Sequence, residues 1–120
     1  MKQSNKLDVI CINKILKYIK NINEAYDTFQ IGSADDLEKN VICHLAITQI
    51  ITNIYEIKLK IQDATLAKMP LFYKIGLKAA RNIASHDYDS LDFDIIYKRT
   101  CQLLKPEVLN ELETIKNDIK

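Results

Sequence analysis

Arg81, His86 and Tyr88 stand in the run Ala80-Arg81-Asn82-Ile83-Ala84-Ser85-His86-Asp87-Tyr88 and spell Arg-x4-His-x-Tyr. A guanidinium can clamp a phosphate with paired N–H donors, an imidazole carries a proton near neutral pH, and a phenol oxygen can position or receive a phosphoryl group. The 120 residues include two histidines and six tyrosines, and Arg81 and Arg99 are the two arginines. A shuffled chain of this composition would show the triplet about 0.2% of the time. The pattern therefore calls for an explanation, and its residue types suggest chemistry on a phosphate ester.

The elements that must position these residues read as helices. Nearly half of the chain is hydrophobic, with two glycines and two prolines, a composition too poor in turn formers for an all-β fold. Leu7, Cys11, Ile15, Tyr18, Ile22, Tyr26 and Phe29 recur at three- and four-residue steps and predict a first helix from about Leu7 to Phe29. Gly32 interrupts it, and Ser33 with Asp36 caps the next. That second helix, about Ala34 to Lys60, shows two apolar stripes. One is Leu37, Val41, Leu45, Thr48, Ile51, Tyr55 and Leu59, and the other Cys43, Ile47, Ile50, Ile54, Ile57 and Ile61.

A helix apolar round most of its circumference must be covered on more than one side. In so small a protein one cover can be the core and the other a second subunit, so helix two is placed at a dimer interface. Residues 61–69 are a connection, with a short turn capped by Thr65. Pro70 opens a third helix that carries the motif to about His86. Ser90 or Asp92 caps a fourth from about Leu91 to Lys105, and Pro106 opens a fifth. The expected architecture is an all-α, up-and-down bundle of four to five helices, homodimeric, in a single domain over residues 1–120 with its core at about 6–119.

Successive helical residues lie about 100° apart. Lys74, Lys78, Arg81, Ser85 and Tyr88 therefore share one stripe, fit to hold a phosphodiester. Phe72, Ile75, Ala79 and Ile83 lie opposite, and Gly76, Ala80 and Ala84 make a line of small residues. His86 is about 140° round from Arg81. It sits instead beside Asn82, four residues before it, whose amide can orient the imidazole. One copy of the motif is thus an incomplete site, and two copies facing across a two-fold axis would complete it. His44, between the stripes of helix two, reads as a core histidine with no assigned role.

The bulk properties bound the rest. Net charge is +1, so any nucleic-acid contact must come from a local patch. Cys11, Cys43 and Cys101 are odd in number and lack metal-ligand spacing, as free buried thiols of a cytoplasmic protein would be. Lys6, Asp8 and Lys14 interrupt the N-terminal apolar residues, unlike a signal peptide, and no stretch is apolar for the roughly 18 to 20 residues of a membrane span. Asp87, Asp89, Asp92 and Asp94 flank the motif, where capping accounts for several of them. Neither a metal site nor a cofactor is expected.

The motif Arg81, His86 and Tyr88, with Asn82 after the arginine, resembles that of the HEPN superfamily, specifically its short HepT-like toxin branch. The run "RNIASHDYDSLDFDIIY" and the long double-sided helix before it are similar to that branch, and the likeness spans roughly residues 6–119. The resemblance implies a homodimeric bundle with a metal-independent endoribonuclease site in the cleft between subunits. It also implies a place as the toxin of a type VII toxin–antitoxin pair. The partner would be an MntA-like minimal nucleotidyltransferase antitoxin, which silences the toxin by AMPylation of the motif tyrosine. Arg81 and His86 take the catalytic positions and Tyr88 the modified one. Asn82 and Ser85 are supporting residues, and Lys74 and Lys78 are candidates for RNA phosphate. The RNA is left open between tRNA and mRNA. Two other readings stand beside this one: a non-catalytic helical module that partners a nucleotidyltransferase, and a plain structural bundle.

Overall fold

The computed structural model describes residues 3–84 and 92–120, with the backbone alone at 83 and 84. Among these the chain is all-helical, with no strand. The segments are α1 (Gln3–Thr28), α2 (Ala34–Lys39), α3 (Val41–Lys58), α4 (Asp63–Leu66), α5 (Pro70–Tyr73), α6 (Leu77–Ala84), α7 (Phe93–Leu103) and α8 (Pro106–Ile119). None is long and apolar enough to cross a membrane. Ser33, Asp92 and Pro106 act as expected. The Ser33 and Asp92 side chains accept from the Asp36 and Ile95 amides, and Pro106 opens α8.

Two long helices expected from periodicity are each broken. The expected Ala34–Lys60 helix divides at Asn40, whose backbone N–H closes α2 while its Oδ1 accepts from the Cys43 amide at 2.9 Å to open α3. An Asn side chain is as good an N-cap as it is a poor helix interior, so the break has a local cause. The two-stripe picture changes with it. Cys43, Ile47, Ile54 and Ile61 of one stripe are core; of the other, Leu37, Thr48 and Ile51 are buried but Val41, Leu45 and Leu59 lie exposed. The expected Pro70–His86 helix is divided between Tyr73 and Leu77, ahead of which Gly76 sits. A Cβ at Gly76 would come within 3.1 Å of Arg99 Nε, so the guanidinium from α7 packs closely against this glycine. Arg99 donates from Nη1 to Gln102 Oε1, while its Nε is buried without a partner among the described residues.

The first helix also differs in phase from the expected stripe. Leu7 and Phe29 are exposed, while Ile12, Ile15, Ile19, Ile22 and Tyr26 line the core. This face meets α3 and α8, while α3 also carries α6, and α7 packs on α2 and α6. Asp8, one turn from the start of α1, is 1% exposed. Its Oδ1 accepts from the Gln62 backbone amide, and its Oδ2 from Gln62 Nε2 at 2.7 Å and Thr65 Oγ1 at 2.5 Å. Thr65 thus does not cap a turn; its hydroxyl serves Asp8 from inside α4. A second long-range carboxylate, Glu111 of α8, accepts the Leu71 and Phe72 amides at the start of α5. The starts of α4 and α5 are therefore each tied to a long helix by a carboxylate.

His44 is buried, with Nδ1 at 3.2 Å from both the Leu37 and Glu38 carbonyl oxygens and its ring 4.8 Å from that of Phe93. Carbonyls only accept, so Nδ1 carries the proton and closes the end of α2. It is the core histidine its position suggests.

The Tyr26 phenol and Thr100 hydroxyl share a 2.6 Å hydrogen bond between α1 and α7. Burial, offset only in part by that bond, pushes the phenol well above its ordinary range. As pH rises past about 10 the unfolded chain loses this proton before the folded one does. The stabilisation is therefore complete below that pH and is lost above it. Tyr26→Phe is expected to flatten part of the alkaline fall in Tm, at a neutral-pH cost of about 1 kcal/mol. Thermal melts at neutral pH and above the tyrosine range check both.

Candidate functional site

Arg81 sits on α6, the short helix held between α3 and α7. The burial of Leu77 and Ala80 fixes which face of α6 turns inward. Lys78 and Ala79 are exposed, which corrects the placement of Ala79 on the apolar side. Lys78 and Arg81 share a helix as expected. Lys74 does not, because it is the C-cap of α5 on the far side of the Gly76 break. The stripe that joined Lys74 to Arg81 assumed an unbroken helix, and that assumption fails here.

The Arg81 guanidinium is half-exposed and meets three groups. Nη1 donates to Asn82 Oδ1 at 3.3 Å, Nη2 lies 3.8 Å from Glu56 Oε1, and the cationic carbon stands 5.6 Å from the centre of the Tyr55 ring. Asn82 thus touches the arginine directly. Ser85, His86 and Tyr88 lie outside the described residues, and so does the expected Asn82–His86 pair. Tyr55 and Glu56 were missed in the sequence, because nothing in α3 marks the two residues that α6 packs against.

The ion pair with Glu56 is weak. Both side chains are substantially open to solvent, at 38% and 57%, and the pair is at the long limit for charged contact. Such exposed pairs contribute about 0 to 1 kcal/mol. An incoming phosphate, able to take two N–H donors of the guanidinium at once, would displace the carboxylate readily. The face of the Tyr55 ring would keep the cation in place during the exchange.

Two other cations flank this region. Lys58 lies 4.8 Å from the centre of the Tyr73 ring and donates to the Tyr73 carbonyl at 3.3 Å, tying α3 to the end of α5. Burial lowers its affinity for a proton. Lys74 beside it is exposed. Among the described residues, no three of His, Cys, Asp and Glu gather as metal ligands.

Comparison with protein-family models, curated proteins and solved structures gives no match.

Proposed function

We propose that this chain is the toxin component of a HEPN/MNT toxin–antitoxin pair, acting in the cytoplasm as a metal-independent RNA endonuclease. The observation that carries the reading is the Arg-x4-His-x-Tyr motif. Its arginine stands half-exposed at the edge of α6, with Asn82 on one side and a displaceable carboxylate on the other. The alternative, an arginine spent on structure, would favour a buried and fully bonded guanidinium, and Arg81 is neither.

The chemistry suits these side chains. His86 acts as base and takes the proton of a ribose 2′-hydroxyl, whose oxygen attacks the adjacent phosphorus. The bond from phosphorus to the 5′-oxygen breaks, and that oxygen leaves with a proton returned by an imidazolium. Arg81 binds the scissile phosphate and stabilises the charge that grows on its oxygens. Asn82 steadies the guanidinium. Lys74 and Lys78, both exposed, would meet neighbouring phosphates from two separate helices.

The two-subunit cleft is part of the same reading. Its support is the apolar surface at the start of α3, where Val41 and Ile42 are 58% and 72% exposed and Leu45 lies beside them. A homodimer through this face would bury side chains that a monomer leaves in water. The off-switch would be Tyr88. Its phenol oxygen attacks the α-phosphorus of ATP on the nucleotidyltransferase and pyrophosphate leaves. The resulting AMP brings negative charge and bulk to the place an RNA phosphate must enter.

Paired expression tests the reading. The wild type, without its partner, is expected to slow growth and degrade RNA, and His86→Ala to do neither. A wild type that leaves both growth and RNA intact would overturn the nuclease and favour the non-catalytic module that partners a nucleotidyltransferase.

A further inference from the structure

A second polar region lies next to Arg81 and has no part in the motif. Helices α1 and α3 run antiparallel, as the Tyr18–Asn53 and Asp8–Gln62 contacts require. Between them opens a groove of about 570 Å³, within the range of roughly 300 to 1,000 Å³ that ligand sites occupy. Its rim carries Lys14, Lys17 and Lys60, all exposed, and none of them in an ion pair among the described residues. Lys14, on α1, and Lys60, in the turn after α3, come from different segments yet line the same groove.

The floor is built from amides and a phenol. Asn53 Oδ1 accepts from Gln49 Nε2 at 2.9 Å, and Asn53 Nδ2 donates to the Tyr18 hydroxyl at 3.2 Å. In this chain of bonds the Tyr18 O–H and the second Asn53 N–H are not used, so both can donate to a ligand. Asn21 adds a further amide. The carboxylate in the lining is Glu56, the same residue whose Oε1 lies 3.8 Å from Arg81. Glu56 therefore links the groove to the motif arginine, which lies beyond its lining.

We propose that this α1–α3 groove is a binding track for single-stranded RNA, with Lys14, Lys17 and Lys60 on successive phosphates and the Tyr18–Asn53 floor against a base. The proposal rests on the ribonuclease reading for its ligand and extends it by naming where the strand lies beyond the scissile phosphate. A net charge of +1 gives no global attraction to RNA, so a local cluster must supply it. An acidic protein partner would use the lysines but would have no need of an amide and phenol floor. Base edges do, because single-stranded RNA is read by hydrogen bonds and stacking on its unpaired bases.

The test is fluorescence anisotropy of a short fluorescein-labelled single-stranded RNA, titrated with the full chain carrying His86→Ala so that binding is read without cleavage. The triple variant Lys14→Gln, Lys17→Gln, Lys60→Gln is expected to bind at least about tenfold more weakly. The slope of log K against log salt should shrink by about 2, three lost phosphate contacts at roughly 0.7 each. Arginine at the same three positions should restore both. The control variant Lys98→Gln, Lys105→Gln, Lys120→Gln removes equal charge elsewhere and should bind as the parent does.

Equal affinity and slope in the groove variant, equal loss in the control, or no RNA binding by the parent each overturns the groove. The nuclease reading fails separately. RNA bound through the groove by a wild type that cleaves nothing keeps the track and removes the catalysis. Cleavage by a groove variant of undiminished affinity does the reverse.

Discussion

Replacing Asp8 with alanine is expected to cost about 3 kcal/mol of folding stability, far more than any exposed substitution in this chain. The carboxylate is 1% exposed and accepts three hydrogen bonds, two from Gln62 and one from Thr65. Alanine leaves the Gln62 amide and the Thr65 hydroxyl facing a small void. Unsatisfied buried donors are the costly half of a lost hydrogen bond. Asparagine should cost less, about 1 kcal/mol, because its oxygen can still accept from the Gln62 backbone and its NH₂ can donate once the Gln62 amide turns over.

Thr65→Val alone should be moderate, and the double variant with Asp8→Ala should fall short of additive, since both changes remove the same bond. Urea unfolding of the four proteins checks this. A loss below about 1 kcal/mol for Asp8→Ala would mean that the start of α4 does not depend on α1. The prediction bears on function because the same junction sets how α1 lies along α3, and Lys60 leads directly into it.

Asp8 also shows where sequence reading stops. Its partners lie more than fifty residues away, and no periodicity or spacing records that. Alone it looks like a polar interruption in an amphipathic helix. Features with a local cause were legible: Ser33 and Asp92 as caps and Pro106 as a helix start; the first helix, by contrast, ends at Thr28 with Gln30 in the left-handed region, ahead of the expected break at Gly32. Asn40 was also locally encoded, as an N-cap ahead of Val41, but unbroken apolar periodicity across it concealed the break. Gly76 is a different case. One glycine in a helical pattern is tolerated, and the Arg99 side chain that packs against it arrives from α7, a long-range contact no local pattern records.

The site divides in the same way. The proposed phosphate-binding role of Arg81 came from residue types and spacing. That Tyr55 and Glu56 are its neighbours, and that a lysine-rimmed groove adjoins it, came from how α1, α3 and α6 pack. In the sequence the lysines of α1 fall between its apolar residues, and Lys60 ends the expected second helix. A groove needs both.

Arg81→Ala is expected to lower RNA cleavage by about 10² to 10³-fold while changing stability by less than about 1 kcal/mol. The separation follows from the contacts. The structural partners of the guanidinium are an exposed carboxylate at 3.8 Å, an amide at 3.3 Å on the adjacent residue and the Tyr55 ring at 5.6 Å, each a weak contact for a half-exposed side chain. A scissile phosphate would instead draw on the full charge and on two aligned donors as its oxygens gain charge. Lysine restores the charge without the fork, so Arg81→Lys should recover only part of the rate. Glu56→Gln should act in the opposite direction. It removes the anion that competes with phosphate and should raise kcat/KM about two- to threefold, by weakening a screened, solvent-exposed interaction. Single-turnover cleavage of a defined RNA, read beside thermal melts of each variant, distinguishes these outcomes. Full activity in a folded Arg81→Ala protein would remove the arginine from the chemistry. A large drop in Tm with the activity loss would make it a structural residue, whose contact with Glu56 holds α6 to α3.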